Sequence, residues 1–313
     1  MVTRFLLKIL LFASPILLFL IYAEIGLSHV PTSYSILKEN YYKREKELEV
    51  VFIGASDSQL GIAPKFFTNH TSYNLSNSSQ SIFTCCRLIE TNLERLPKLK
   101  LVVLCVSPIL IFQSSGKGNV EQWREKFYYH FWNLQPEFSE PSLLWRFNIG
   151  LYEPKTVLLY GLKGYNKLTN PLLKNIDSLG WERGSSDNST QALSNKAAKE
   201  TVKFQLNGLE TSSNRTIGYI SELNSILKKK NIKLILVQLP ISKYYLEEFP
   251  SEIVNKSKTV IDSLTISEHI PYYNFRYDTI YHDSDFRDVT HLNYRGAEKF
   301  SNELNKTLQT ILD

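Results

Sequence analysis

A chain of 313 residues that is 43% hydrophobic can fill a real core, which excludes a disordered chain and a disulfide-stapled miniprotein. Its 36 basic and 31 acidic side chains leave a net charge of +5 with no long Lys/Arg run, so no nucleic-acid partner is expected. The one basic cluster, Lys228, Lys229, Lys230 and Lys233, falls where a helix should end, and cations there offset the negative end of its dipole.

From Phe5 to Leu27 the chain is almost wholly apolar, and its only charges, Lys8 and Glu24, lie near the two ends. That is long enough to cross a bilayer. Arg4 and Lys8 followed by Ile9 to Ala23 also fit a cleaved signal peptide, but the stretch runs on through Glu24-Ile25-Gly26-Leu27 without a small-x-small cleavage site. The reading preferred is an uncleaved transmembrane anchor over residues 1–28. Positive residues ahead of the span would keep the amino terminus cytoplasmic and place the rest outside the membrane. A polar, lysine-rich stalk (29–47) should follow, and Leu101 to Phe112 is too short for a second span.

Next comes Glu49-Val50-Val51-Phe52-Ile53, a short β-rich run that stops at Gly54, as buried parallel strands do. Further strands are expected at Ser72 to Leu75, at Leu99 to Val106 ending in Ser107-Pro108, at Ile232 to Leu239 and, more weakly, at Tyr272 to Phe275. Cys105 lies in one of these runs and Cys85 and Cys86 are adjacent, so the three cysteines form neither a metal spacing nor a disulfide framework; they read as buried free thiols. Ile217, Ile220, Leu223 and Leu227 share one face of a helix over Thr216 to Lys229. Ala297, Phe300, Leu304, Leu308 and Ile311 do the same in a last helix over Tyr294 to Ile311. Strands alternating with helices predict a parallel α/β sandwich.

Between about 111 and 203 the alternation disappears. Trp123, Phe127, Tyr128, Phe131, Trp132, Trp145, Phe147, Tyr152 and Tyr160 crowd the first half, and a Ser/Asn-rich tract, Gly184 to Ser194, falls in the second. The length exceeds an ordinary connection and predicts a partly helical insertion. Its aromatic residues read either as a small core of their own, the preferred reading, or as a platform for carbohydrate. Seven Asn-x-Ser/Thr triplets are read as compositional in a chain this rich in those residues.

Two short motifs carry candidate chemistry. Gly54-Ala55-Ser56-Asp57-Ser58 follows the first strand, at the carboxyl edge where α/β proteins bind ligands. Ser56 is there either a nucleophile or, with Asp57 and Ser58, one of three candidates to cap the next helix. The block is not the nucleophile elbow of α/β-hydrolases, which needs glycine two positions after the serine. Asp288-Val289-Thr290-His291-Leu292-Asn293 precedes the last helix. An aspartate three residues before a histidine can accept the ring N–H and leave the other nitrogen as a base. Asp283, Asp285 and Asp288 beside His282 match no EF-hand or zinc spacing, so neither metal nor cofactor is expected.

In this order the motifs resemble the SGNH/GDSL hydrolase superfamily. The resemblance is closest to its membrane-anchored bacterial branch, similar to the alginate O-acetylation and teichoic-acid D-alanylation proteins. It rests on Gly54 to Ser58, on Tyr73-Asn74-Leu75 followed by Ser76 to Ser81, on Val102 to Pro108, and on Asp288 to Ala297. It implies a three-layer flavodoxin-like sandwich over 48–313, with Ser56 as nucleophile, His291 as base and Asp288 as its orienting partner. Ser78 or Ser79 stands where that superfamily has its oxyanion glycine, and Ser107 where it has a later asparagine. The implied activity is O-acyl transfer, most simply O-acetyl, to a cell-surface polysaccharide, with a membrane-bound O-acyltransferase as partner. An acetylesterase with the same triad and a non-catalytic glycan-binding scaffold are the alternatives.

Overall fold

The computed structural model describes residues 2–113, 122–163, 175–183, 193–207, 209 and 213–312. Its helices are α1 (Val2–Ser28), α2 (Ser33–Tyr42), α3 (Ser56–Gly61), α4 (Ile82–Asn92), α5 (Pro108–Phe112), α6 (Glu125–Trp132), α7 (Pro154–Lys163), α8 (Asn195–Leu206), α9 (Asn214–Lys229), α10 (Lys243–Glu248), α11 (Ser251–Ser267) and α12 (Tyr294–Leu312). The strands are β1 (Val50–Ile53), β2 (Ser72–Asn74), β3 (Leu101–Cys105), β4 (Lys233–Gln238) and β5 (Tyr272–Asn274). The chain divides into two compact units, one of residues 1–36 and 123–174, the other of 37–122 and 175–313.

The larger unit is a five-stranded, all-parallel sheet in the order β2-β1-β3-β4-β5. This is the flavodoxin-like order, and its reversal between β1 and β3 opens a crevice at the carboxyl ends of those two strands. The β-branched runs explain both the strands and their burial, since β1 and β3 are buried along their whole length. Alternate residues Val50, Phe52, Leu101, Val103, Cys105, Ile235 and Val237 share one core with Phe300, Leu304 and Leu308 of α12. The intervening residues face the other way, where α9 packs on β4 and pairs with α4. All three cysteines are buried and free.

In the smaller unit, α1 is the one helix among the described residues that is long and apolar enough to cross a membrane. Its last turns bury Ala23 and Leu27 against Val157, with Ile149 and Tyr152 alongside. Glu24 is consumed locally: its carboxylate accepts hydrogen bonds from the backbone N–H groups of Asn148 and Ile149 and from the Asn148 side chain, each at 2.9 Å. Four aromatic residues here pack on one another, with Tyr34 stacked on Phe127 at 4.9 Å and Tyr128 and Tyr152 set edge-on.

Two stretches are more ordered than their sequence suggests. The lysine-rich 29–47 segment contains α2, because Tyr34, Leu37 and Tyr41 fall on one helical stripe and are all buried. Residues 175–183, inside the anticipated insertion, belong to the larger unit as a strap closed by an Ile176–Glu182 bridge. The Ser/Asn-rich tract lies outside the described residues except for its last two.

Candidate active site

The first motif ends β1 and starts α3. Gly54 is required by crowding, since a Cβ there would stand 2.3 Å from Ser58 Oγ and 2.8 Å from Cys105 Cβ. Ala55 is the extended residue before the helix, and no side chain caps that end. Ser56 is therefore not spent as a cap. The hydroxyl of Ser58 turns inward to donate to the Ala55 carbonyl and to Ser76 Oγ.

A six-residue helix has little stability of its own, so α3 depends on what ties it down. Asn74, at the end of β2, donates through Nδ2 to the carbonyls of Ser58 and Ile62, at 2.8 and 2.9 Å. The 175–183 strap holds the other side. Trp181, 1% exposed, donates its indole N–H to the Leu60 carbonyl at 2.8 Å, and Glu182 N–H donates to the Gln59 carbonyl. Gly180 has a φ of +85° and approaches β2 so closely that a Cβ would stand 2.0 Å from the Asn74 carbonyl oxygen. Sequence reasoning missed Trp181, whose tryptophan inside a polar stretch was the available signal.

The closing motif builds the other half. Leu292 is buried in the main core. Asn293 donates through Nδ2 to the Ser284 and Phe286 carbonyls and accepts from Gly296 N–H, which staples the 284–293 loop to the start of α12. Gly296 lies so close to that loop that a Cβ would fall 2.1 Å from the Asp285 carbonyl oxygen. The glycine, the asparagine and the apolar residue in this block thus each have a packing reason.

These two scaffolds bring Ser56, His291 and Asp288 into one chain of contacts. His291 Nε2 lies 2.8 Å from Ser56 Oγ, and His291 Nδ1 lies 2.8 and 2.9 Å from the two oxygens of Asp288. Asp288 Oδ1 also accepts from the backbone N–H groups of Thr290 and His291. Burial works to raise the Asp288 carboxyl, but these donors, the imidazole first, hold it down at about 2. It is therefore a carboxylate at neutral pH. An anionic oxygen facing Nδ1 selects the tautomer with the proton on Nδ1 and leaves Nε2 free to accept the serine proton.

A cavity of about 280 Å³ opens over Ser56 and His291, at the crevice between β1 and β3. Ser79 and Ser107 line it, and Ser78 does not. Ser78 Oγ instead donates to Gln59 Oε1. Ser79 has a φ of +53°, the left-handed region that glycine adopts freely, so it occupies a glycine-like backbone position without being glycine. Ser107 Oγ accepts from Leu110 N–H as the cap of α5. Two further cavity residues carry charge: Asp57, whose carboxyl is pushed up by burial against the pull of Ser58 N–H and the His291 ring, and Arg276. Phe204 and Gln205 of α8 also line the cavity. The arrangement supplies a hydroxyl, a base, an orienting carboxylate and a cavity over them, the parts needed for nucleophilic attack on an acyl carbonyl.

No family model and no curated protein matches the chain. Among solved structures, it is similar to a protein assigned as an acylhydrolase from Bacteroides fragilis, at 13% identity and a TM-score of 0.43, covering 88% of this chain and 97% of that one. It is likewise similar to a GDSL-like lipase from Bacteroides thetaiotaomicron, at 13% identity and a TM-score of 0.42, covering 88% of this chain and 98% of that one. The all-parallel strand order is flavodoxin-like, and in the order of its motif blocks the chain resembles the SGNH/GDSL hydrolases.

Proposed function

We propose that this protein is a membrane-anchored serine acyltransferase that modifies a cell-surface polysaccharide outside the membrane. The observation that carries the reading is the unbroken contact chain from Ser56 Oγ through His291 to Asp288. His291 Nε2 takes the Ser56 proton as Oγ bonds to the carbonyl carbon of an ester donor. The leaving alcohol departs with that proton, and the acyl group stays on Ser56. A sugar hydroxyl then attacks the acyl-serine and gives its proton to Nε2; the acyl–Oγ bond breaks, Nε2 returns the proton to Ser56 Oγ, and the new sugar ester leaves. Backbone N–H groups of Ser56 and Ser79 are the oxyanion donors in this reading, Ser56 being the first residue of α3 and Ser79 a cavity residue. Water in place of the sugar would make the same site an acetylesterase.

Helix α1, with Arg4 and Lys8 at its start, is the anchor and keeps the amino terminus cytoplasmic. A multi-span O-acyltransferase that supplies the acyl donor is the proposed partner. A purely scaffolding role gives no reason for a nucleophile, base and carboxylate in contact. The test is acetyl-ester turnover by the full-length protein in detergent. Ser56→Ala and His291→Ala should each lower turnover by about 10²-fold or more. Turnover that survives both substitutions overturns the assignment. Adding an acceptor glycan should divert acyl groups from water to sugar, and unchanged hydrolysis would favour the esterase.

A further inference from the structure

The smaller unit exposes apolar side chains outside the span as well. Leu143, Leu144, Phe147 and Leu158 are each between 46 and 72% exposed. Singly such residues are ordinary, but several held together mark an interaction surface. Both stretches that carry them are fastened to the last turns of α1. Phe147 is followed by Asn148 and Ile149, whose backbone N–H groups donate to the Glu24 carboxylate. Residues 143–146 fold back tightly on 148–151, since a Cβ on Gly150 would stand 1.9 Å from the Leu144 carbonyl oxygen. Val157, the neighbour of Leu158, packs on Ala23 and Leu27. Helix geometry sets the level at which they are held. Phe5 to Leu27 rises about 33 Å along α1, and Glu24 stands about 28 Å from Phe5, against a hydrocarbon core about 30 Å thick. Residues bonded to Glu24 therefore lie at the boundary between acyl chains and headgroups wherever α1 spans a bilayer. The half-buried Trp145 and the exposed Arg146 and Lys155 are of the kinds that favour that boundary.

We propose that Leu143, Leu144, Phe147 and Leu158 form a second membrane contact, entering the leaflet at which α1 ends and taking phospholipid acyl chains. The inference rests on the reading of α1 as an anchor. Continuity with the span identifies the occupant. The turns of α1 that leave the hydrocarbon hold these side chains, so the nearest apolar phase is the one that α1 already occupies. Lipid there removes their surface from water. A span alone lets the unit attached to it swing about the helix end, and two further points of immersion fix its rotation.

The experiment uses the full-length protein in vesicles of phosphatidylcholine and phosphatidylglycerol. A nitroxide is attached at Leu144→Cys or Leu158→Cys, with Ser14→Cys, exposed on the span, as the lipid reference; Cys85, Cys86 and Cys105 are buried and stay unlabelled. Collisions with oxygen and with a water-soluble nickel chelate give the depth of each label. Labels at 144 and 158 should lie about 5–10 Å into the boundary between headgroups and acyl chains, with chelate contact lowered several-fold relative to the free label in water. Chelate contact as frequent as in water at both positions, beside a lipid-like label at 14, would overturn the inference and leave the anchor in place. A water-like label at 14 would end the anchor reading and the inference with it. Shielding of 144 and 158 from both colliders would mean that a second protein copy covers them, which also overturns the proposal. Either label decides alone should the other variant fail to fold.

Discussion

Replacing Asp288 by asparagine separates the positioning of the loop from the electrostatics of the base. Asp288 Oδ1 accepts three of the local bonds, from Thr290 N–H, Thr290 Oγ1 and His291 N–H, whereas Oδ2 faces only the imidazole, at 2.9 Å. An asparagine can keep its oxygen at the first position and the loop with it. Its NH₂ group then faces Nδ1 beside that oxygen, so the anionic charge that held the ring proton on Nδ1 is gone and the tautomer with the proton on Nε2, opposite Ser56, competes. The expected loss in kcat is on the order of 10²–10⁴-fold with little change in KM. The stability change should be far smaller. Holding the carboxyl at about 2 against an ordinary 3.8 corresponds to roughly 2.4 kcal/mol, and the 29% exposure of the side chain reduces this to about 1–2 kcal/mol. Because the folded value is the lower one, that contribution is complete above about pH 4 and is lost as the pH falls toward 2. Thermal melts between pH 7 and 2 should therefore show a wild-type decline in this window that is shallower in Asp288→Asn. Initial rates on p-nitrophenyl acetate complete the test. A variant that keeps a third or more of the wild-type kcat would refute the role of the carboxylate.

Ser79 and Gly54 give two further predictions. Ser79→Gly should preserve turnover within about threefold, since the backbone N–H and its left-handed conformation are retained, while the β-branched Ser79→Val should cost about 1–2 kcal/mol and reduce kcat. Equal behaviour of the two variants in melts and rates would show that backbone shape at 79 is irrelevant. Gly54→Ala forces a methyl group onto Ser58 and Cys105 and should destabilise by about 1–3 kcal/mol, read as a Tm lowered by several degrees. An unchanged Tm would mean that the β1–α3 junction has room that the geometry denies.

β1, β3 and β4 were legible because each is a short apolar run with β-branched residues that is buried on both faces, and α9 and α12 because their apolar residues recur at helical spacing. Asp288 and His291 were readable for a local reason: they lie three positions apart on one loop. What could not be read depends on contacts distant in sequence. Trp181 looks like an isolated aromatic residue until its N–H is seen to meet Leu60 across 121 positions. Arg276 sits in an aromatic string whose burial depends on α10. The left-handed turn at Ser79 has no glycine to announce it, and the part of the 111–203 stretch that joins α1 shows no strand periodicity because it adds no strand. The polar look of residues 29–47 hid α2, since three buried side chains among lysines barely alter composition.

The proposed base and nucleophile are separated by 235 positions, and the base lies just ahead of α12. A ribosome delivers this polypeptide amino terminus first, so Ser56 exists long before anything can remove its proton. Until the carboxyl-terminal helix docks and Asn293 closes its loop, the serine is an ordinary alcohol. In the proposed mechanism reactivity is thereby deferred until α12 has docked, and a half-folded product cannot consume activated acyl groups.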